Sequence, residues 1–200
     1  MNLATALTAS RLVLAPIYFV LFQIPQWTGG FQLPSIVLLW IVFLAIELSD
    51  VFDGAVARKR NEVSDLGKLL DPFADVISRM TYFLTFAAVG IMPAWIVLLI
   101  LYREYTIIFL RMMMYRTGTA LAARKGGKLK AVFYAVAGAA GILVQMTRTI
   151  DSLAVYAGPT EIGALLVFVL SVVLAYVSLS DYLRVFFRHR GGGNGQNKES

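Results

Sequence analysis

Four carboxylates stand in a short stretch of this chain, Asp50, Asp53, Asp71 and Asp75, at the edge of or inside segments that otherwise read as membrane-spanning. A carboxylate at bilayer depth costs roughly 2.5–3.5 kcal/mol on insertion scales, so four together need partners. Divalent cations answer that need, because hard cations take carboxylate oxygens and neutralise the cluster. Two such ions can clamp the attacking and leaving oxygens of an in-line phosphoryl displacement. Arg58, one turn beyond Gly54, is placed to stabilise diphosphate charge, and a carboxylate not fully used on metal could take a proton from an attacking hydroxyl. The chemistry expected is therefore phosphoryl transfer between a nucleotide reached from the cytoplasm and a lipid lying in the bilayer.

Helices must position these groups. Asp50 and Asp53 are three apart and Asp71 and Asp75 four apart, so each pair shares a helix face. Six apolar runs, at 9–28, 34–57, 69–90, 93–115, 129–147 and 162–184, predict an all-α polytopic bundle of six spans. Counted from Pro34 at 1.5 Å per residue, Asp50 lies about 24 Å along the second span, near the inner edge of the hydrocarbon core. The third span returns from the same face and brings Asp71 and Asp75 back. Gly54 and Ala57 remove bulk beside Asp50, leaving room for a ligand or a close helix approach.

Composition agrees. Apolar residues make up 58% of the 200, and the mean hydropathy is +0.72, above the range of soluble domains. The chain has no cysteine, which removes disulfides and thiolate metal sites. The net charge of +6 sits mostly at one membrane face, which points to topology and anionic headgroups rather than nucleic acid. Arg58, Lys59, Arg60 and Lys68 follow the second span, and Arg116, Arg124, Lys125, Lys128 and Lys130 follow the fourth. Arg184, Arg188, Arg190 and Lys198 lie at the C-terminal end, whereas the opposite loops carry Arg148 alone. The positive-inside rule then puts both termini and the carboxylates on the cytoplasmic side of an integral, cytoplasmic (inner) membrane protein. No basic leader with a cleavage site opens the chain, so the first apolar run is expected to remain. Met1 to Ser10 is expected to lie along the interface before the first span turns in. Residues 1–187 are expected to form one membrane domain, and the Gly-rich residues 188–200 a disordered cytoplasmic tail.

Residues 50–75 match D-x2-D-G-x2-A-R-x8-G-x3-D-x3-D without a gap, through Asp50, Asp53, Gly54, Ala57, Arg58, Gly67, Asp71 and Asp75. This pattern resembles the signature of the CDP-alcohol phosphotransferase family, as do six spans with the motif bridging the second and third. The resemblance implies two divalent cations, Mg2+ or Mn2+, held by Asp50, Asp53, Asp71 and Asp75. It makes Asp75 the base as well, and assigns the CDP pocket to Asp50, Asp53, Gly54, Ala57, Arg58, Gly67 and Asp71. It also implies attack of an alcohol on the CDP-linked phosphate with release of CMP, and a homodimer.

Three further segments resemble the phosphatidylglycerophosphate synthases of that family. They are the opening with Asn2, Thr5, Leu7, Thr8 and Arg11, the R-E-x6-R stretch of Arg103, Glu104 and Arg111, and the G-K-x-K of Gly127, Lys128 and Lys130. Their implied donor is CDP-diacylglycerol and their acceptor glycerol 3-phosphate, whose phosphate Arg103, Arg111, Lys128 and Lys130 would suit, with Thr8 beside them. The chain departs from the synthases at Ala131, Tyr134, Val76 and Arg79, and Glu47 adds a fifth carboxylate. Glu47 with Tyr102, Tyr105 and Tyr134 would suit a cationic acceptor such as choline instead. Inositol phosphate or serine as acceptor, or CDP-choline or CDP-ethanolamine reacting with diacylglycerol, would keep the same chemistry. Arg103 and Glu104 read equally well as an intramembrane ion pair, and the basic cluster from Arg124 to Lys130 as a headgroup anchor. An ion or proton-coupled transporter is the rival class, but the carboxylates gather near one face and no inverted repeat is visible.

Overall fold

A computed structural model describes residues 3–60, 65–116 and 125–192, with the side chains of 3–5, 53–60, 65–69, 115–116, 125–128 and 188–192 left outside the description. Every regular element among the described residues is helical. Six long helices follow the six apolar runs: α1 Leu3–Thr28, α2 Gln32–Arg60, α3 Asp65–Ala88, α4 Ala94–Arg116, α5 Lys125–Thr149 and α6 Ala157–Gly192. A 3-10 turn, Asp151–Tyr156, leads into α6.

The connections between α1 and α2 and between α3 and α4 are tight because glycine takes the left-handed conformation that ends a helix at low cost. Gly29 has φ 69° and donates to the Pro25 carbonyl at 3.0 Å, and Gly90 has φ 70° and donates to Ala87 at 3.1 Å. Helix α1 packs along α2 and α3, α5 packs along α6, and α4 leans on α6 and α3. The start of α1, the end of α2, the start of α3 and the start of α5 meet at one end of the bundle.

An aromatic layer fills the interior beneath that end. Tyr82 packs edge-to-face on Phe83 with centroids 4.8 Å apart, Phe43 on Tyr82 at 5.7 Å, and Phe83 on Tyr134 at 5.6 Å. Helix α5 can approach because it offers no side chain there. A Cβ at Gly138 would collide with the Phe43 ring and one at Gly141 with Phe86. The small-residue run from Ala135 to Gly141 is therefore a packing surface, the usual device where lipid tails compete for apolar contact.

The outer faces are apolar. Val13 is 61% exposed, Ile41 57% and Leu166 66%, an exterior suited to acyl chains and unsuited to water. Among the described residues, four segments are long and apolar enough to cross a membrane: Ala6–Thr28, Gln32–Phe52, Leu129–Thr149 and Asp151–Phe187. Helices α3 and α4 have comparable lengths of 24 and 23 residues, but carry the charged groups of the site.

One sequence expectation is corrected here. The opening residues form no separate interfacial segment, since α1 runs unbroken from Leu3 to Thr28. Thr8 and Arg11 are buried at 3% and 1% exposure, because carboxylates of α2 and α3 draw this end of α1 into the bundle. At the other terminus, α6 continues to Gly192, five residues into the stretch expected to be a tail, and residues 193–200 lie outside the described ones.

Candidate active site

The late turns of α2 and the early turns of α3 bring Asp50, Asp71 and Asp75 together, with one carboxylate oxygen from each lying within 4.8 Å of the others. Their side chains are 27%, 48% and 26% exposed, so the cluster opens outward. Such a three-carboxylate set of hard oxygen donors, close and partly open, fits a divalent cation. Asp53 lies one turn beyond Asp50 on α2, with Gly54, Ala57 and Arg58 after it, and Gly67 precedes Asp71 on α3. The side chains of Asp53, Arg58 and Lys128, and the surroundings of Gly54, Ala57 and Gly67, lie outside the described residues, as do Asn2 and the side chain of Thr5.

Two guanidiniums hold the aspartates. Arg11 Nη1 donates to Asp50 Oδ1 at 3.1 Å and to Asp75 Oδ1, and its Nη2 donates to Asp71 Oδ1 at 2.5 Å. Arg79 Nη2 donates to Asp50 Oδ2 at 2.9 Å and Nη1 to Asp75 Oδ2 at 3.4 Å. Sequence reasoning noted both arginines without giving either this role. The available signal was physical: a cation inside an apolar run has to find a carboxylate. Glu47, the fifth acid, accepts a hydrogen bond from the Tyr82 hydroxyl at 3.0 Å.

A second polar group lies alongside. Glu104 Oε1 accepts from Arg103 Nη1 at 2.9 Å and from Lys130 Nζ at 2.7 Å, and the Lys130 ammonium also stands 4.6 Å over the Tyr134 ring. Arg103 has its other nitrogens on α6, Nε to the Ala175 carbonyl at 3.2 Å and Nη2 to Ser178 Oγ at 3.2 Å. Each of its donor nitrogens is thus engaged within the protein, tying α4 to α6. Arg111 differs: its Nε is buried with no hydrogen-bond partner among the described residues. Tyr102 and Tyr105 are 58% and 56% exposed on the outer side of α4, which takes them away from any cage for a cationic ligand.

The two groups share one cavity of about 330 Å³. Asp50, Asp75 and Arg79 line it together with Arg103, Glu104, Arg111 and Lys130, and Tyr182 of α6 completes the polar lining. Carboxylates able to hold cations therefore face basic groups able to hold an anion across a space that fits a small polar molecule.

The sequence profile of the CDP-alcohol phosphatidyltransferase family matches residues 1–187. This chain belongs to that family. Among its relatives is the CDP-diacylglycerol–glycerol-3-phosphate 3-phosphatidyltransferase of Treponema pallidum (strain Nichols), 35% identical over 196 residues that cover 94% of this chain and 90% of the relative. A probable phosphatidylglycerophosphate synthase of Mycobacterium tuberculosis (strain CDC 1551 / Oshkosh) is 31% identical over 191 residues, 96% of this chain and 84% of that protein. A CMP-forming cardiolipin synthase of Streptomyces coelicolor is 33% identical over 104 residues, covering 52% of this chain and 47% of its own length. Family membership makes the protein a membrane-embedded transferase, and the aspartate cluster lies within the matched residues.

Proposed function

We propose that this protein is a phosphatidylglycerophosphate synthase, moving the phosphatidyl group of CDP-diacylglycerol to glycerol 3-phosphate and releasing CMP. The observation that carries the choice of acceptor is the cavity that joins Asp50 and Asp75 to Lys130 and Arg111. A phosphorylated alcohol fits it with the phosphate at the basic end and the hydroxyl at the aspartates. The names of the relatives that match nearly the full chain support the same acceptor.

In this reading Asp50, Asp53, Asp71 and Asp75 hold two divalent cations, Mg2+ or Mn2+, which supply charge neutralisation of the diphosphate when bound. Arg58, on the last turn of α2, adds positive charge at the diphosphate. Asp75 accepts the proton of the acceptor hydroxyl as its oxygen bonds to the phosphatidyl phosphorus. The phosphoanhydride bond breaks, and its electron pair leaves on CMP. Arg111 and Lys130, with Lys128, draw in the acceptor phosphate; Arg103 adds its charge beside them, and Thr8 joins from α1, three residues before Arg11. All six long helices span the bilayer, with the aspartates toward the cytoplasm on the side rich in Lys and Arg. Two copies associate as a homodimer within the membrane.

An acceptor screen tests this. Purified protein with CDP-diacylglycerol and Mg2+ or Mn2+ is offered glycerol 3-phosphate, choline, serine, inositol phosphate and phosphatidylglycerol. CMP release with glycerol 3-phosphate well above the others is expected. A preference for any other acceptor replaces the acceptor, and CMP release with none of them removes the reaction.

A further inference from the structure

The contacts of Arg79 divide the aspartates into two edges. Its two terminal nitrogens reach Asp50 Oδ2 and Asp75 Oδ2, while the Oδ1 atoms of the same carboxylates turn toward Arg11, where Asp71 Oδ1 also converges. One edge of each carboxylate is held by Arg79 and the other faces Arg11, on the side where Asp71 also comes in. A planar guanidinium can span two carboxylates in this way; an ammonium, as a point charge, cannot fix both orientations.

Arg79 is itself backed. Its side chain is 8% exposed, so its charge needs compensation within the bundle. Asp50 and Asp75 supply that directly, and Glu47 stands one turn before Asp50 on the same helix. Tyr82, three residues beyond Arg79 on α3, fixes Glu47 through the 3.0 Å hydrogen bond. Neither Glu47, Arg79 nor Tyr82 belongs to the eight-residue motif, yet together they join α2 to α3 directly beneath it.

We propose that Arg79 is a positioning residue that bridges Asp50 and Asp75 through their rear oxygens, keeping the front oxygens aimed at the divalent cations, with Glu47 and Tyr82 holding Arg79 in turn. The inference rests on reading the aspartates as metal ligands. It also separates Arg79 from the other cations of the cavity, whose task is the acceptor phosphate.

Arg79→Lys keeps the charge and removes the fork, so any loss reports geometry. Mn2+ affinity of the purified protein, read from the electron paramagnetic resonance signal of free Mn2+, is expected to fall roughly 10- to 100-fold, as for loss of a partner that orients a ligand. Turnover should fall with it while KM for glycerol 3-phosphate holds. Glu47→Gln should lower Mn2+ affinity less, and add nothing in an Arg79→Lys background, because it acts through Arg79. Unchanged Mn2+ affinity in Arg79→Lys overturns the proposal. So does a raised acceptor KM with Mn2+ affinity and turnover kept, which would make Arg79 a phosphate ligand. If Arg79→Lys does not fold, Glu47→Gln carries the test, and an unchanged Mn2+ affinity there overturns the proposal as well. Failure of the unaltered protein to bind Mn2+ removes the metal reading and the bridge together, whereas equal binding by both proteins removes the bridge alone.

Discussion

Arg11 of α1 and Asp71 of α3 meet at 2.5 Å across 60 residues of sequence, and the same guanidinium reaches Asp50 and Asp75. The first helix is therefore fastened to the motif helices by charge, at the end of the bundle that carries the aspartate cluster. Arg11 is 1% exposed, so these contacts are made away from water on its side.

Removing that cation should be costly. Arg11→Ala leaves three carboxylates without the charge that offsets their repulsion, and breaking a largely buried ion pair costs roughly 3 kcal/mol or more. Thermal unfolding in detergent should show a clear loss, partly recovered by Arg11→Lys. An unfolding temperature equal to that of the unaltered protein would contradict the fastening role.

Arg58 is assigned to the diphosphate. Arg58→Ala should lower kcat/KM for CDP-diacylglycerol by the equivalent of about 2–4 kcal/mol, as for loss of one preorganised donor. Arg58→Lys should restore part of it, because charge is kept and the planar fork is lost. Unchanged kinetics in Arg58→Ala would remove the assignment.

Arg111 and Lys130 divide the two substrates. Either residue changed to Ala should raise KM for glycerol 3-phosphate far more than KM for CDP-diacylglycerol, since only acceptor binding is touched. Glu47→Ala should leave the acceptor KM nearly unchanged, because Glu47 is bonded to Tyr82 and stands outside the cavity lining. If choline were the acceptor, loss of Glu47 would be damaging and loss of Lys130 nearly silent. Steady-state kinetics with each substrate varied in turn distinguishes these patterns.

Close packing of α5 gives a prediction away from the chemistry. Gly141→Val places a side chain where the Phe86 ring already lies, and overpacking of this kind costs about 1–3 kcal/mol. The unfolding temperature should drop while the metal requirement of the remaining activity is unchanged. A variant as stable as the parent would show that Phe86 can move aside.

The helices were legible in the sequence because most apolar runs are long and bounded by Gly, Pro or charge, and α2 to α5 begin and end near those boundaries. The aspartate motif was legible because its spacing is that of helix faces. Arg11 and Arg79 were harder to assign: the partners of Arg11 lie 39 to 64 residues away on other helices, and although Asp75 stands one turn before Arg79, the Asp50 that completes its bridge is 29 residues away on α2. The opening residues misled for a related reason: Ala, Thr and Ser suit an interface, and only the long-range pull on Arg11 puts them in the bundle. Tyr102 and Tyr105 sit on a helix that is apolar nearly all round, so its sequence does not fix which face turns inward. That required the contacts of Arg103 with α6.

The central claim is that the aspartate cluster transfers a phosphatidyl group to glycerol 3-phosphate. The direct measurement is the stoichiometry of CMP and lipid-borne glycerol phosphate formed from CDP-diacylglycerol, in the unaltered protein and in Asp71→Asn. Asp71 is a half-exposed carboxylate, the proposed cation ligand whose loss should leave the protein folded in the membrane. The two products should appear one for one with Mg2+ or Mn2+, vanish with chelator, and fall by at least about 100-fold in Asp71→Asn, the scale on which loss of one electrostatic group slows catalysis. Near-normal turnover in Asp71→Asn, or CMP formed without glycerol phosphate entering the lipid, would contradict the account.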